Sequence, residues 1–281
     1  MTKSQRNLMV GLLGMAFLCC ACAKPWLRPA EPERSAEEAR RRLQEKGEER
    51  VRMSGFLRAR MSGLSGLLSS ADVDVAVETP AKVFLSVRSF FNQPMYVVAT
   101  DGTRATAIDA TGGQSVFLSG PATANAFEEL LGAQLWPYEA VAVFLAIAPA
   151  AGAQANGIRY DHRKGTYTLL LREASGRRSE VRARIADDAL VSWVAYHPDG
   201  KAAFSVTYSK LALQNGLVFP QKWELEAQGP NGSQSVVFEA VDLTLNGEAF
   251  VPELFQLIAP PGAPHQPISP AATPPNPEFS P

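Results

Sequence analysis

Cysteine is almost missing from this 281-residue chain, and the three present fall within four positions, Cys19, Cys20 and Cys22. Downstream of them there is no thiol, which excludes a disulfide scaffold, a thiol nucleophile and a cysteine metal site there. Histidine is nearly as scarce. His162, His197 and His265 are the only imidazoles, and His162 and His197 do not stand at helical or zinc-finger spacing. No G-x-S-x-G elbow occurs, since Gly63-Leu64-Ser65-Gly66 lacks the second spacing. No Gly-rich loop leads into Lys-Ser/Thr for phosphate. Asp161-His162-Arg163-Lys164 reads as a charged hairpin tip, and the carboxylates are spread along strand faces rather than paired in apolar surroundings. We therefore expect no catalytic residue, no metal ligand and no cofactor. The net charge is −1, without the basic patch that a phosphate backbone requires, so nucleic acid is not an expected partner. No apolar run reaches the roughly 20 residues of a membrane helix.

What is present at the N-terminus is an address. Lys3 and Arg6 form a positive segment, and Leu8–Leu18 (LMVGLLGMAFL) is an uncharged apolar stretch of eleven residues. That pattern fits a secretory signal. Ala21 before Cys22 resembles a bacterial lipoprotein signal, in which the cysteine becomes the lipidated first residue. Cys19 stands where a bulky aliphatic residue is usual, and Cys20 is a second candidate with Phe17 three positions upstream. Ala23 after Cys22, in place of aspartate, favours the outer membrane by the same resemblance. Residues 1–21 are then the signal, and the membrane is a partner through acylated Cys22. Residues 22–34, rich in proline and charge, form a tether.

Ser35 opens a helix with Glu38 three residues on, a capping box, and its apolar stripe is thin: Ala36, Ala39 and Leu43. Past Arg50 the period becomes two. Val73, Val75 and Val77 alternate with polar residues, as do Tyr167, Leu169 and Leu171, then Val181, Ala183 and Ile185, then Phe204, Val206 and Tyr208, and Trp223 with Leu225. Such alternation marks antiparallel strands with one wet face. Turn signals separate them at Asp101-Gly102, Lys164-Gly165, Ser175-Gly176, Asp199-Gly200, Asn231-Gly232 and Asn246-Gly247. About ten strands in successive hairpins predict one large curved antiparallel sheet, a mainly β fold.

The alternation breaks between Pro121 and Pro149. Ala122–Leu131 reads as a helix with Phe127, Leu130 and Leu131 on one side and Gly132 as its stop. A second helix from Pro137 (YEAVAVFLAIA) is apolar on all faces, with Glu139 its only charge, and must be buried. Either the sheet wraps round it or the helix pair caps an open barrel. Residues 35–258 make up the domain. From residue 259 the chain holds nine prolines and is expected to be a disordered Pro-rich tail to residue 281, an inert end, a spacer or a ligand for an envelope protein.

The order of elements resembles the LolA/LolB superfamily of bacterial lipoprotein carriers and receptors, and LolB-like outer-membrane lipoproteins more closely because of the lipidation signal. Three stretches carry the likeness: Lys82–Gly102, KVFLSVRSFFNQPMYVVATDG; Ala126–Pro149, AFEELLGAQLWPYEAVAVFLAIAP; and Phe204–Ala227, FSVTYSKLALQNGLVFPQKWELEA. The resemblance spans about Arg50 to Gly262. It implies a half-open barrel with a helical plug inserted midway, enclosing an apolar cavity for acyl chains of lipids or lipoproteins. It implies Phe90 and Phe91 at a hairpin tip that touches membrane or ligand, and Phe127, Leu130, Leu131, Val141, Phe144 and Leu145 as the plug. Two phenylalanines stand where LolB-like proteins show a leucine, and the proline tail has no counterpart there. The role implied is non-catalytic transfer or insertion; the alternative is a structural envelope lipoprotein that binds a protein partner and no lipid.

Overall fold

The computed structural model describes residues 33–62, 70–89, 91, 93–131, 134–173, 176–229 and 232–268. Signal, lipidation candidates and most of the tether lie outside these residues. The compact unit begins at Arg34. Helix α1 (Ala36–Glu48) starts where Ser35 accepts a hydrogen bond from the Glu38 amide at 3.1 Å. Its buried side is Ala39, Leu43 and Gly47. A Cβ on Gly47 would come within 2.8 Å of Ile147, so only glycine lets the helix pack this closely.

Sixteen strands follow among the described residues, more than the ten that alternation marks. A first meander comprises β1 (Arg52–Ser62), β2 (Ala71–Glu78), β3 (Lys82–Arg88), β4 (Pro94–Thr100), β5 (Arg104–Asp109) and β6 (Val116–Pro121). Helices α2 (Ala124–Leu131) and α3 (Pro137–Leu145) interrupt it. The second meander is β7 (Gln154–Asp161), β8 (Thr166–Arg172), β9 (Arg178–Arg184), β10 (Leu190–Tyr196) and β11 (Ala202–Ser209). After a small hairpin, β12 (Ala212–Gln214) with β13 (Leu217–Phe219), come β14 (Lys222–Gly229) and β15 (Gly232–Leu245). β1 pairs with β15, joining the two meanders into one fourteen-stranded sheet whose edges are β7 and β16 (His265–Pro267). The sheet does not close. It is the open, mainly antiparallel barrel expected.

β1 and β15 are its spine. Their register slips where Phe56 faces Asp242 and Leu57 faces Ala240, leaving Val241 as a bulged residue, which bends the sheet. Gly55 beside it has no room for a side chain, since a Cβ there would sit 2.2 Å from the Asp242 carbonyl oxygen.

The sheet wraps the plug, the first of the two arrangements open from the sequence. One core holds Val141, Val143, Phe144 and Leu145 of α3 together with inward residues from both meanders, among them Val75, Leu85, Leu169, Trp193 and Trp223. Helix α2 begins two residues later than its apolar pattern implies, because the Thr123 hydroxyl caps the Ala126 amide at 3.2 Å. Ala126 packs with Val98, Ala105, Ala107 and Ile268.

Two sequence boundaries are corrected. Arg34, assigned to the tether, belongs to the folded unit, with Nη1 2.8 Å from Asp188 Oδ1. The tail is not disordered from residue 259. The chain crosses the outer face through a 3₁₀ turn, Pro252–Phe255, burying Phe255, and β16 then pairs parallel with β6. Proline is tolerated because β16 is an edge strand needing few amides, and Ile268 beyond it packs over Gly120, where a Cβ would meet it at 2.9 Å. Residues 269–281 lie outside the described residues.

Candidate functional site

Alternation fixes which residues face inward, and the bend of the sheet gathers them round α3. Between them lies an apolar cavity of about 110 Å³. Its walls include Met61, Leu85, Val98, Leu225 and Phe238, and its roof is Leu135, Ala140, Val143 and Phe144. No charged side chain lines it; Gln234 and the Tyr96 ring supply what polarity there is. A cavity of roughly 150 Å³ admits benzene, so this one holds a small ring or a short stretch of one chain. A longer chain requires α3 or the lining side chains to move.

An exposure gradient shows where the cavity opens. Ala59, Val73, Leu85 and Val98 are buried, whereas Met61, Val87, Tyr96, Gln234 and Val236 are half-buried. The half-buried set lies where β1 and β3 finish and β4 and β15 begin. That open end also carries the β3–β4 and β8–β9 turns.

Polar bonds hold α3 at both ends. At its N-terminus Glu139, 1% exposed, accepts the Trp136 amide at 2.9 Å and pairs with Arg177. Burial pushes the Glu139 carboxyl up to about 7, with Arg177 pulling the other way. The Arg177 guanidinium also lies 5.5 Å from the Phe204 ring centroid. At the C-terminus Ala146 turns left-handed. There buried Arg50 donates to the Leu145 and Ala146 carbonyls and, at 3.0 Å, to Val218 of β13. Tyr208 donates to Val143 O at 3.2 Å. Arg50 forms no ion pair among the described residues; helix C-terminal carbonyls supply the negative end of a dipole instead. Burial lowers its proton affinity.

Of the plug residues read from sequence, Phe144 lines the cavity, edge-on to Phe238 at 5.5 Å between centroids. Phe127, Val141 and Leu145 are buried in the same core but are not part of the lining. The side chains of Leu130 and Leu131 lie outside the described residues, as does Phe90. Phe91 stands in the β3–β4 turn, closed by Ser89 N donating to Gln93 O at 2.8 Å, and is 81% exposed. Sequence reading passed over Leu135, Val236 and Phe238; the helical period of α3 did not extend to Leu135, and Val237 beside the latter two hides their alternation. Among the described residues no cluster of three or more His, Cys, Asp or Glu could hold a metal ion.

A half-open β-sheet thus folds round a buried helix beside an apolar cavity with no charged side chain in its lining. That fold is LolA/LolB-like. The structure matches a LolA superfamily protein from Nitrosomonas europaea with a TM-score of 0.53 at 11% identity, over 80% of this chain and 99% of that one. It matches a DUF1329 family protein from Desulfovibrio piger with a TM-score of 0.55 at 9% identity, covering 79% and 95%. A third match is an outer membrane lipoprotein-sorting protein domain from Vibrio parahaemolyticus, TM-score 0.51 at 9% identity, covering 78% and 97%. No family model and no curated protein matches the sequence.

Proposed function

We propose that this protein is an outer-membrane lipoprotein, anchored through acylated Cys22 on the periplasmic side, which binds acyl chains of lipids or lipoproteins and passes them on without catalysis. The observation that carries this reading is the cavity wall, which is apolar throughout and has no charge. Each buried methylene contributes about 0.8 kcal/mol, so such a wall holds a hydrocarbon with no polar contact. The lipoprotein-sorting domain and the LolA superfamily protein among its structural likenesses support the same reading. Phe91, exposed at the cavity's end, is the contact to membrane or cargo. The modest cavity volume favours one other reading, a structural lipoprotein that fills its own interior and binds a protein partner. Native mass spectrometry of protein extracted gently from membranes separates the two. A co-purifying acylated ligand is expected; a bare chain after every mild extraction counts for the structural reading.

A further inference from the structure

Cations on the outer face of the sheet are matched to acids over most of its width. Arg58 meets Asp72, Arg88 meets Asp74, and Arg60 and Lys210 share Glu239. β8 and β9 depart from that rule. Arg172 and Arg178 stand directly opposite one another across these strands. Both point outward, since neighbouring Leu171 and Ser179 are buried, and both are exposed. Like charges directly opposite destabilise a sheet. Neither guanidinium reaches a carboxylate among the described residues. That of Arg178 lies 5.9 Å from the Tyr196 ring centroid. The carboxylates nearby are engaged elsewhere: Glu180 faces Arg159 at 3.9 Å, and Glu173 accepts the Ser179 hydroxyl at 3.0 Å.

Placement gives this cost a use. Arg172 ends β8 and Arg178 begins β9, so the pair sits at the open end, which also carries Phe91 and the cavity's opening. Lys201, in the β10–β11 turn, is exposed at the same end but faces Asp199 at 3.8 Å, so the arginine pair is the unmatched charge there. β3 and β8 are eight strand-to-strand steps apart in the sheet, roughly 38 Å along its curve at the usual strand spacing. A short acidic peptide offers nothing to the apolar tip. A flat surface with phosphates above hydrocarbon meets both.

We propose that the open end of the sheet docks on a bilayer containing anionic phospholipid, with Arg172 and Arg178 holding lipid phosphates while Phe91 enters the apolar layer. The Phe91 half rests on the functional reading given above; the arginine half rests on the unpaired charges alone. Planar guanidinium forks suit phosphate oxygens. Two cations near an anionic surface tighten binding roughly thirty-fold, and salt weakens it.

The test uses the chain from Arg34 onward, which contains all the described elements and the whole core, sedimented with phosphatidylcholine vesicles with and without phosphatidylglycerol. Phosphatidylglycerol should tighten binding. Arg172→Gln/Arg178→Gln should remove roughly thirty-fold of the affinity for the anionic vesicles, bringing it to the level on phosphatidylcholine alone. Arg58→Gln/Arg60→Gln deletes the same charge from paired positions and should change binding only slightly. Phe91→Glu should weaken binding to both kinds of vesicle. All of these side chains are on the surface, and thermal melts check that each variant is folded. Indifference to phosphatidylglycerol, no loss in the Arg172/Arg178 variant, or equal losses in the two arginine variants overturns the proposal. If only Phe91→Glu is without effect, the tip reading falls while the arginine contact stands.

Discussion

The two ends of the sheet are built from different chemistry. At the closed end, buried polar groups tie elements together. Asp188 takes Arg34 and Arg42, each at 2.8 Å, and the Tyr167 hydroxyl at 2.8 Å. Arg50 and Tyr208 hold the end of α3. Asn246, with φ of 52°, bonds Val51 N and Glu49 O. At the open end the interior is aliphatic and aromatic, with Glu139–Arg177 its buried ion pair. Hydrogen bonds fix distance and angle, so the closed end has one arrangement. Apolar contacts are non-directional, so the open end can repack round a guest. Rigidity and accommodation are thus separated along the strands rather than between layers.

The largest effect should come from Asp188→Asn. Asparagine keeps the size and tolerates the left-handed backbone at this position (φ 56°), but it removes the charge that Arg34 and Arg42 both pair with. A loss of about 3–5 kcal/mol in urea denaturation is expected; a loss near zero would mean that the closed end is not the rigid one. Next, Leu145→Ala and Phe144→Ala should each cost several kcal/mol, about 2–5 and 3–5 respectively. Only Phe144→Ala, which widens the cavity, should strengthen binding of an apolar fluorescent probe. Equal probe responses would erase the distinction between lining and packing.

A pH titration isolates Glu139. Burial raises its folded-state value to about 7 from 4.5. Between those values the folded chain keeps a proton that the unfolded chain has lost. Stability therefore falls as pH rises through the window and levels off above it. Glu139→Gln should flatten that slope in denaturation curves at about pH 5 and about pH 8; an unchanged slope assigns it to other groups. Phe91→Glu should move stability by less than about 0.5 kcal/mol while impairing lipid or lipoprotein transfer. A large fall in melting temperature would put this ring in the core. Last, Cys22→Ala should leave folding untouched and either release the protein to soluble fractions or leave it unprocessed. Correctly cleaved protein that still pellets with membranes would refute lipidation there.

The elements legible in the sequence are those with one wet face. β2, β8, β9 and β11 alternate cleanly because most of their outer residues reach water. β4 and β5 were harder to read. Ala99 and Thr106 on their outer face are buried as well, under the crossing that brings in Phe255, and a strand covered on both sides loses its period. β16 follows Pro264 and ends on Pro267, and only its place beside β6 makes it a strand. The plug was legible from an apolar helix too short for a membrane. The cavity walls were not, because they come from strands far apart in sequence. Arg50 and Asp188 could not be identified as interior residues, since a charge is buried only when the fold delivers its partners, and those come from helix ends and turns that no local pattern links to them.

The pairing of β1 with β15 has a consequence for how the molecule is made. Met53 faces Leu245, so the seam between the two meanders is sewn by segments from nearly opposite ends of the domain. A chain emerging N-terminus first can complete β1 to β6 early, but β1 then waits with a bare edge until almost the last strand arrives. Such distant pairing slows folding, and an open edge invites strands from other chains. Newly made molecules are therefore most vulnerable to aggregation in the interval before β15 is available, when rapid capture of the β1 edge by a chaperone would raise the yield of native protein.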